Sequence, residues 1–112
     1  MATAERTLVK SQPELWELLD QRERMQGLMS ALVGRATEIR VTEREPGKRL
    51  AWEGAVADES GSIEVEIDQK GWGTHVAIEA EVIPAWDGVD EWLEAVFDEL
   101  SVPERRPFRG IV

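Results

Sequence analysis

The run Gly61–Val82, "GSIEVEIDQKGWGTHVAIEAEV", decides the fold. Two arms flank a Gly-Trp-Gly centre. Ile63, Val65 and Ile67 share one parity with Val76, Ile78, Ala80 and Val82, while Glu64, Glu66, Asp68, His75, Ala77, Glu79 and Glu81 take the other. Alternation with period two along both arms predicts a β-hairpin with one buried face and one wet face. What the apolar face meets, a filled core or a cavity for a guest, is the functional question.

Upstream, "ATEIRVTER" (36–44) alternates Ile39 and Val41 with charges, and "EPGK" (45–48) reads as a turn centred on Pro46 and Gly47. The next strand, "RLAWEGAVA" (49–57), places Leu50, Trp52 and Val56 on one parity. Gly54 is read as a bulge and "DESG" (58–61) as the turn into the hairpin. Before these, "TAERTLVK" (3–10) makes a weak first strand. In "SQPELWELLD" (11–20), Ser11 is placed to cap a helix, with Pro13 in its first turn and Glu14 three residues on. The pattern turns wholly polar at Gln21–Arg24, so the helix breaks there. Met25, Leu28, Met29, Leu32 and Val33 then recur at helical spacing until Gly34.

Downstream, "DGVDEWLEAVFDEL" (87–100) sets Val89, Trp92, Leu93, Val96, Phe97 and Leu100 on one continuous helical stripe. Asp87 is placed as its cap, with Asp90 and Glu91 against the N-terminal dipole. The reading is one α+β domain over residues 1–102 with a tail at 103–112. An antiparallel sheet of about five strands carries two short helices after its first strand. The final helix, the one element with a wide enough stripe, lies across the sheet.

Charge narrows the function classes. Residues 1–50 hold nine Lys/Arg against eight Asp/Glu, residues 51–100 hold Lys70 against fourteen acids, and residues 101–112 hold three arginines against one glutamate. The net charge of −10 is therefore concentrated late in the chain, where it repels phosphate backbones and argues against nucleic-acid binding. The chain has no cysteine, which excludes thiolate zinc and any need for an oxidising compartment. No signal-peptide core or membrane-spanning apolar run is written in it, so no membrane insertion is expected and a cytoplasmic location is the default.

Several of these stretches resemble one family. "VKSQPELWELLDQ", with Trp16, looks like the strand-to-helix opening of the START-like, helix-grip superfamily. "ATEIRVTEREPGKRLAWEG" resembles the paired strands of its polyketide cyclase/dehydrase branch, in the Pro-Gly turn and in Arg49, Leu50 and Trp52. The hairpin at 61–82, with Gly73-Thr74 after its turn, is similar to the strands that follow. The resemblance covers about residues 4–100 and implies an apolar ligand held between the curved sheet and the last helix. The chain departs from the pattern by passing from Gly34 almost directly into the strand at Ala36, where members have two more strands. Its last helix is also shorter, so a small or closed pocket is expected.

Chemistry has few carriers here. His75, the only histidine, falls across from Asp68 or Glu66 on the wet face and lacks the three or four convergent ligands of a dedicated metal site. Neither Cys nor Tyr is present, and no nucleophile-His-acid spacing or phosphate loop is visible. The sequence points to no catalytic residue, metal or cofactor. The leading expectation is a non-enzymatic domain that binds a small apolar or lipid-like ligand. Cavity candidates are Leu50, Trp52, Ile63, Val65, Ile67, Val76, Ile78, Ala80, Val89, Trp92, Val96 and Phe97, with a gap near Gly54 and Ala80.

Trp16, Trp52, Trp92 and Phe97 suit either an aromatic-walled pocket or a core. Met25 and Met29 suit either an adaptable lining or gap-filling. Trp72, alone between glycines at a hairpin tip, is a contact candidate. The alternatives are a cyclase- or dehydrase-like enzyme, which needs Thr37, Arg40 or Thr74 turned inward, and an acidic protein-interaction module. A homodimer is expected through the strand edge at Ala36–Arg44 or through the apolar residues of the tail, Phe108 and Ile111.

Overall fold

A computed structural model describes residues 2–101. The tail expected at 103–112, with Phe108 and Ile111, lies outside the described residues. Eight elements follow one another: β1 (Ala2–Leu8), α1 (Gln12–Leu19), α2 (Arg22–Val33), β2 (Ile39–Glu45), β3 (Arg49–Val56), β4 (Glu59–Lys70), β5 (Gly73–Ile83) and α3 (Val89–Ser101). The strands form one antiparallel sheet in the order β1-β5-β4-β3-β2. Strands β2 to β5 are a meander, and β1 returns to pair with β5, from Ala2 opposite Ala80 to Leu8 opposite Thr74.

The hairpin that decides the fold forms as its alternation requires. Ile63 pairs with Ala80, Val65 with Ile78 and Ile67 with Val76, and all six side chains are buried. Glu64 and Glu79 face each other on the opposite side of the sheet. Lys70 pairs with Gly73, which leaves Gly71 and Trp72 as a two-residue loop with Gly71 at φ +56°. Positive φ at the first loop residue suits the twist of a tight hairpin, and glycine adopts it without a Cβ penalty. The Pro46-Gly47 turn is also as expected: Lys48 N donates to Glu45 O at 2.9 Å, with Gly47 at φ +77°.

Local signals place both helices after β1. The Ser11 hydroxyl accepts from Glu14 N at 3.3 Å, with Pro13 in the first turn of α1. Helix α2 stops at Gly34, which is left-handed at φ +91° and donates its N–H to Ser30 O at 2.8 Å. On α3 all six stripe residues, Val89, Trp92, Leu93, Val96, Phe97 and Leu100, are buried.

Five sequence expectations need correction. Strand β2 begins at Ile39 rather than Ala36, because Thr37 is occupied locally: its N–H donates to the Ser30 hydroxyl at 3.2 Å and its own hydroxyl to Arg35 O at 2.8 Å. The β3–β4 turn is Ala57-Asp58 and not 58–61, so Ser60 and Gly61 sit in register in β4. Gly54 is no bulge: it pairs in register with Gly61 and Ile39, and the irregularity lies instead in β2, between Val41 and Glu43. Gly88, rather than Asp87, takes the position before the first turn of α3: its carbonyl accepts the first helical bond, from Trp92 N at 2.9 Å. Finally, α3 is not the sole cover. It lies against β1, while α2 lies over β4, β3 and β2 and buries Met25, Met29, Leu32 and Val33.

Candidate functional site

Two helices on one sheet face leave a seam between them, and this seam is the candidate site. It is lined from α2 and the residue before it by Gln21, Glu23, Arg24, Gly27, Leu28 and Ala31, and from α3 by Trp92, Ala95, Val96 and Glu99, around about 500 Å³. The helical repeat explains the lining. Residues 24, 27, 28 and 31 recur at i, i+3, i+4 and i+7, as do 92, 95, 96 and 99, so each set forms one strip along its helix. Small side chains at Gly27, Ala31 and Ala95 leave the space between the two strips unfilled. A Cβ placed on Gly27 would meet nothing within 4 Å. At one end Arg24 Nη1 bridges to Glu99 Oε1 at 2.8 Å, while Arg24 Nε is buried without a hydrogen-bond partner.

Beneath the seam the packing is close. Trp52 is 1% exposed, and its indole N–H donates to Met25 O at 3.1 Å, tying the first turn of α2 to β3. Leu50, Ile63, Val65, Ile67, Val76, Ile78, Ala80, Val89 and Phe97 are all buried in the same cluster. The gap expected near Gly54 is occupied. A Cβ there would lie 2.7 Å from Thr37 Cγ2, 2.8 Å from Glu38 O and 2.9 Å from Met29 Cγ, and one on Gly61 would lie 2.9 Å from Met29 Sδ. Met29 therefore fills the hollow that the two paired glycines create. Of the twelve cavity candidates, the structure brings Trp92 and Val96 to the seam and sets the others below or beside it.

The remaining candidates are elsewhere. Trp72 is 74% exposed at the hairpin tip, close to the likewise exposed Val9. Trp16 is half-buried on α1, with the Arg44 guanidinium 5.4 Å from its ring centre. His75 stands opposite Asp68, with Nδ1 3.4 Å from the Thr7 hydroxyl and Nε2 3.7 Å from Glu5 Oε2. No group of three or more His, Cys, Asp or Glu side chains able to hold a metal exists among the described residues.

The polar groups that an inward-facing reaction would need are committed to other work. Thr74, fully buried, donates its hydroxyl to Lys10 O at 2.6 Å, and buried Thr37 donates to Arg35 O. Arg40 points outward and pairs with Glu53. Sequence reasoning missed the seam itself. Its signal was available in Gly27 and Ala31 interrupting the apolar repeat of α2, and in Ala95 on α3.

Several solved structures share this architecture. Protein MLL2253 from Mesorhizobium loti is 19% identical, with a TM-score of 0.74 over 89% of this chain and 93% of that one. CalU16 from Micromonospora echinospora is 13% identical, with a TM-score of 0.62 over 88% of this chain and 70% of that one. The Aha1 dimer from Colwellia psychrerythraea is 13% identical, with a TM-score of 0.63 over 94% and 100% of the respective chains. At these identities the likeness is one of fold, and the fold is helix-grip-like: an open five-stranded antiparallel sheet gripped on one face by helices. No family model and no curated protein matches the chain. Among the described residues no helix is long and apolar enough to cross a membrane.

Proposed function

We propose that this protein binds a small apolar molecule, without transforming it, in the seam between α2 and α3. The observation that carries the reading is the seam itself, about 500 Å³ walled by Trp92, Val96, Leu28 and three small residues over an apolar sheet. That volume lies within the range of small-molecule sites, in a groove open to solvent where Leu28, Trp92 and Val96 are joined by the polar Gln21, Glu23, Arg24 and Glu99. The helix-grip resemblance implies an apolar ligand between the curved sheet and the last helix; that space is filled here, and the seam is the opening left beside α3. The carboxylates in the lining, Glu23 and Glu99, are exposed, with Glu99 paired to Arg24, and Thr37 and Thr74 are bonded to backbone carbonyls.

Titration of the full chain with an environment-sensitive apolar dye tests the reading. Saturable enhancement that weakens several-fold in Trp92→Ala is expected, and the absence of saturable binding would overturn it. The same variant reports on packing. Truncating a large aromatic inside a filled core costs about 3–5 kcal/mol. At a wall facing the seam the loss should fall below that range, near 2 kcal/mol, measured by urea denaturation.

A further inference from the structure

We propose that the seam between α2 and α3 is also a docking site for a short peptide segment carrying arginines beside an aromatic anchor. Residues 104–111 of this chain, "ERRPFRGI", are written with that chemistry. The seam has an apolar floor at Leu28, Trp92 and Val96, and it is open at Gly27. An aromatic side chain buries about 150–250 Å² and is the natural occupant of such a slot. The rims carry two exposed carboxylates, Glu23 on α2 and Glu99 on α3, and the α3 rim belongs to the stretch 51–100 that holds fourteen acids against one lysine. A cationic segment is favoured there and an anionic one is repelled. Arg24 shows that Glu99 accepts a guanidinium, at 2.8 Å, so an incoming arginine meets Glu23 or takes the place of Arg24 on Glu99.

Reach is not limiting. Glu99, at one end of the seam, precedes the last described residue of α3, Ser101, by two positions. Seven further residues lead to Phe108, and an extended chain of that length spans about 23 Å. The seam from Arg24 to Ala31 is about 10 Å long at the rise of a helix. The segment therefore suffices within its own chain, and a second copy is not required. A peptide and an apolar small molecule would exclude each other from the slot, so one would lower the apparent affinity of the other.

The test needs no small molecule, so its outcome is separate from that of the ligand reading. A full-length variant carrying Arg105→Ser, Arg106→Ser, Phe108→Ser and Arg109→Ser leaves the described domain unaltered. A fluorescent synthetic peptide of residues 102–112 should bind this variant saturably by anisotropy. Binding should weaken several-fold between about 0.05 and about 0.5 M salt. It should also move the amide resonances of Gly27, Ala31 and Ala95. Adding Gly27→Leu, which fills the slot with a better helix former, should reduce peptide affinity several-fold while the protein stays folded. No binding, or equal binding with Gly27→Leu in place, would overturn the proposal. Binding that moves only resonances of the sheet's outer face would overturn it as well.

Discussion

Under α3 the sheet meets Val89, Trp92, Leu93, Val96, Phe97 and Leu100, large side chains from one regular stripe. Under α2 it meets Met29 at the place where Gly54 and Gly61 pair. The first half of the core is stabilised by volume delivered from the helix. In the second half volume is removed from the sheet, so that a flexible methionine can enter. A helix can cover a sheet by either route, but the two respond oppositely to substitution. One half is damaged by losing atoms and the other by gaining them.

The largest expected effect lies on the α3 side. Phe97→Ala removes a fully buried ring and the surface over which Arg6 lies, 5.1 Å from its centre. A loss of about 3–5 kcal/mol in urea unfolding is expected. A loss under about 1 kcal/mol would mean that this half is not volume-driven after all.

On the α2 side, Gly54→Ala adds one methyl group against the Glu38 backbone carbonyl, Thr37 and Met29, and should cost about 1–3 kcal/mol. Combining it with Met29→Ala separates the causes. If Met29 sets the penalty, the double variant loses less than the sum of the two single losses, and full additivity would assign the clash to Glu38 and Thr37 instead.

This contrast marks where the sequence was legible. The α3 stripe and the alternation of β4 and β5 could be read because each residue's environment follows from its own periodicity. Gly54 was misread because a glycine inside a strand reports only that something comes close. Whether that is a bulge or a distant Met29 side chain is set by helix-to-sheet placement, on which sequence spacing is silent. The seam stayed hidden for the same reason. Gly27, Ala31 and Ala95 have no meaning as a group until α2 and α3 are laid side by side, and only α3 was expected to lie across the sheet as its cover. Trp52 was readable as facing inward but not as core rather than pocket wall, and its hydrogen bond to the Met25 carbonyl was not readable at all.

A smaller effect sharpens the comparison at the turn that fixes the Gly54–Gly61 register. Ala57 sits at φ +55°, a left-handed conformation unfavourable for a residue with a Cβ. Ala57→Gly relieves that strain but adds freedom to the unfolded chain. A net gain of about 0.5–1 kcal/mol is expected by thermal denaturation. An unchanged midpoint would show the strain to be absorbed elsewhere.

The smallest effect concerns a contact outside both halves. Arg44 donates to Asp20 through Nε at 3.0 Å and Nη2 at 2.6 Å, and this hydrogen bonding holds the carboxyl below its ordinary value of 3.8. A lowered folded value means that the contribution is complete above the unfolded value and fades as pH falls through the folded one. Asp20→Asn should therefore be slightly less stable than the native chain at neutral pH, with the gap closing below about pH 4. A gap that persists in acid would mean that Asp20 acts through packing rather than charge.

The outer face of the sheet carries a row in which Glu43, Ala51, Glu64 and Glu79 lie side by side across four strands. Like charges set directly opposite cost the isolated domain some stability. Among many copies the same row acts as a colloidal brake. A sheet face is a surface on which identical molecules would otherwise stack, and here the acids outnumber Arg40 and Arg49 on the same face, so negative charge prevails. The brake releases in acid: near the isoelectric point of about 4.6 the repulsion disappears, and exposed Trp72 and Val9 are left to meet their counterparts. Solutions of this protein are therefore expected to be clear at neutral pH and to cloud over a narrow acidic range while the fold is still intact.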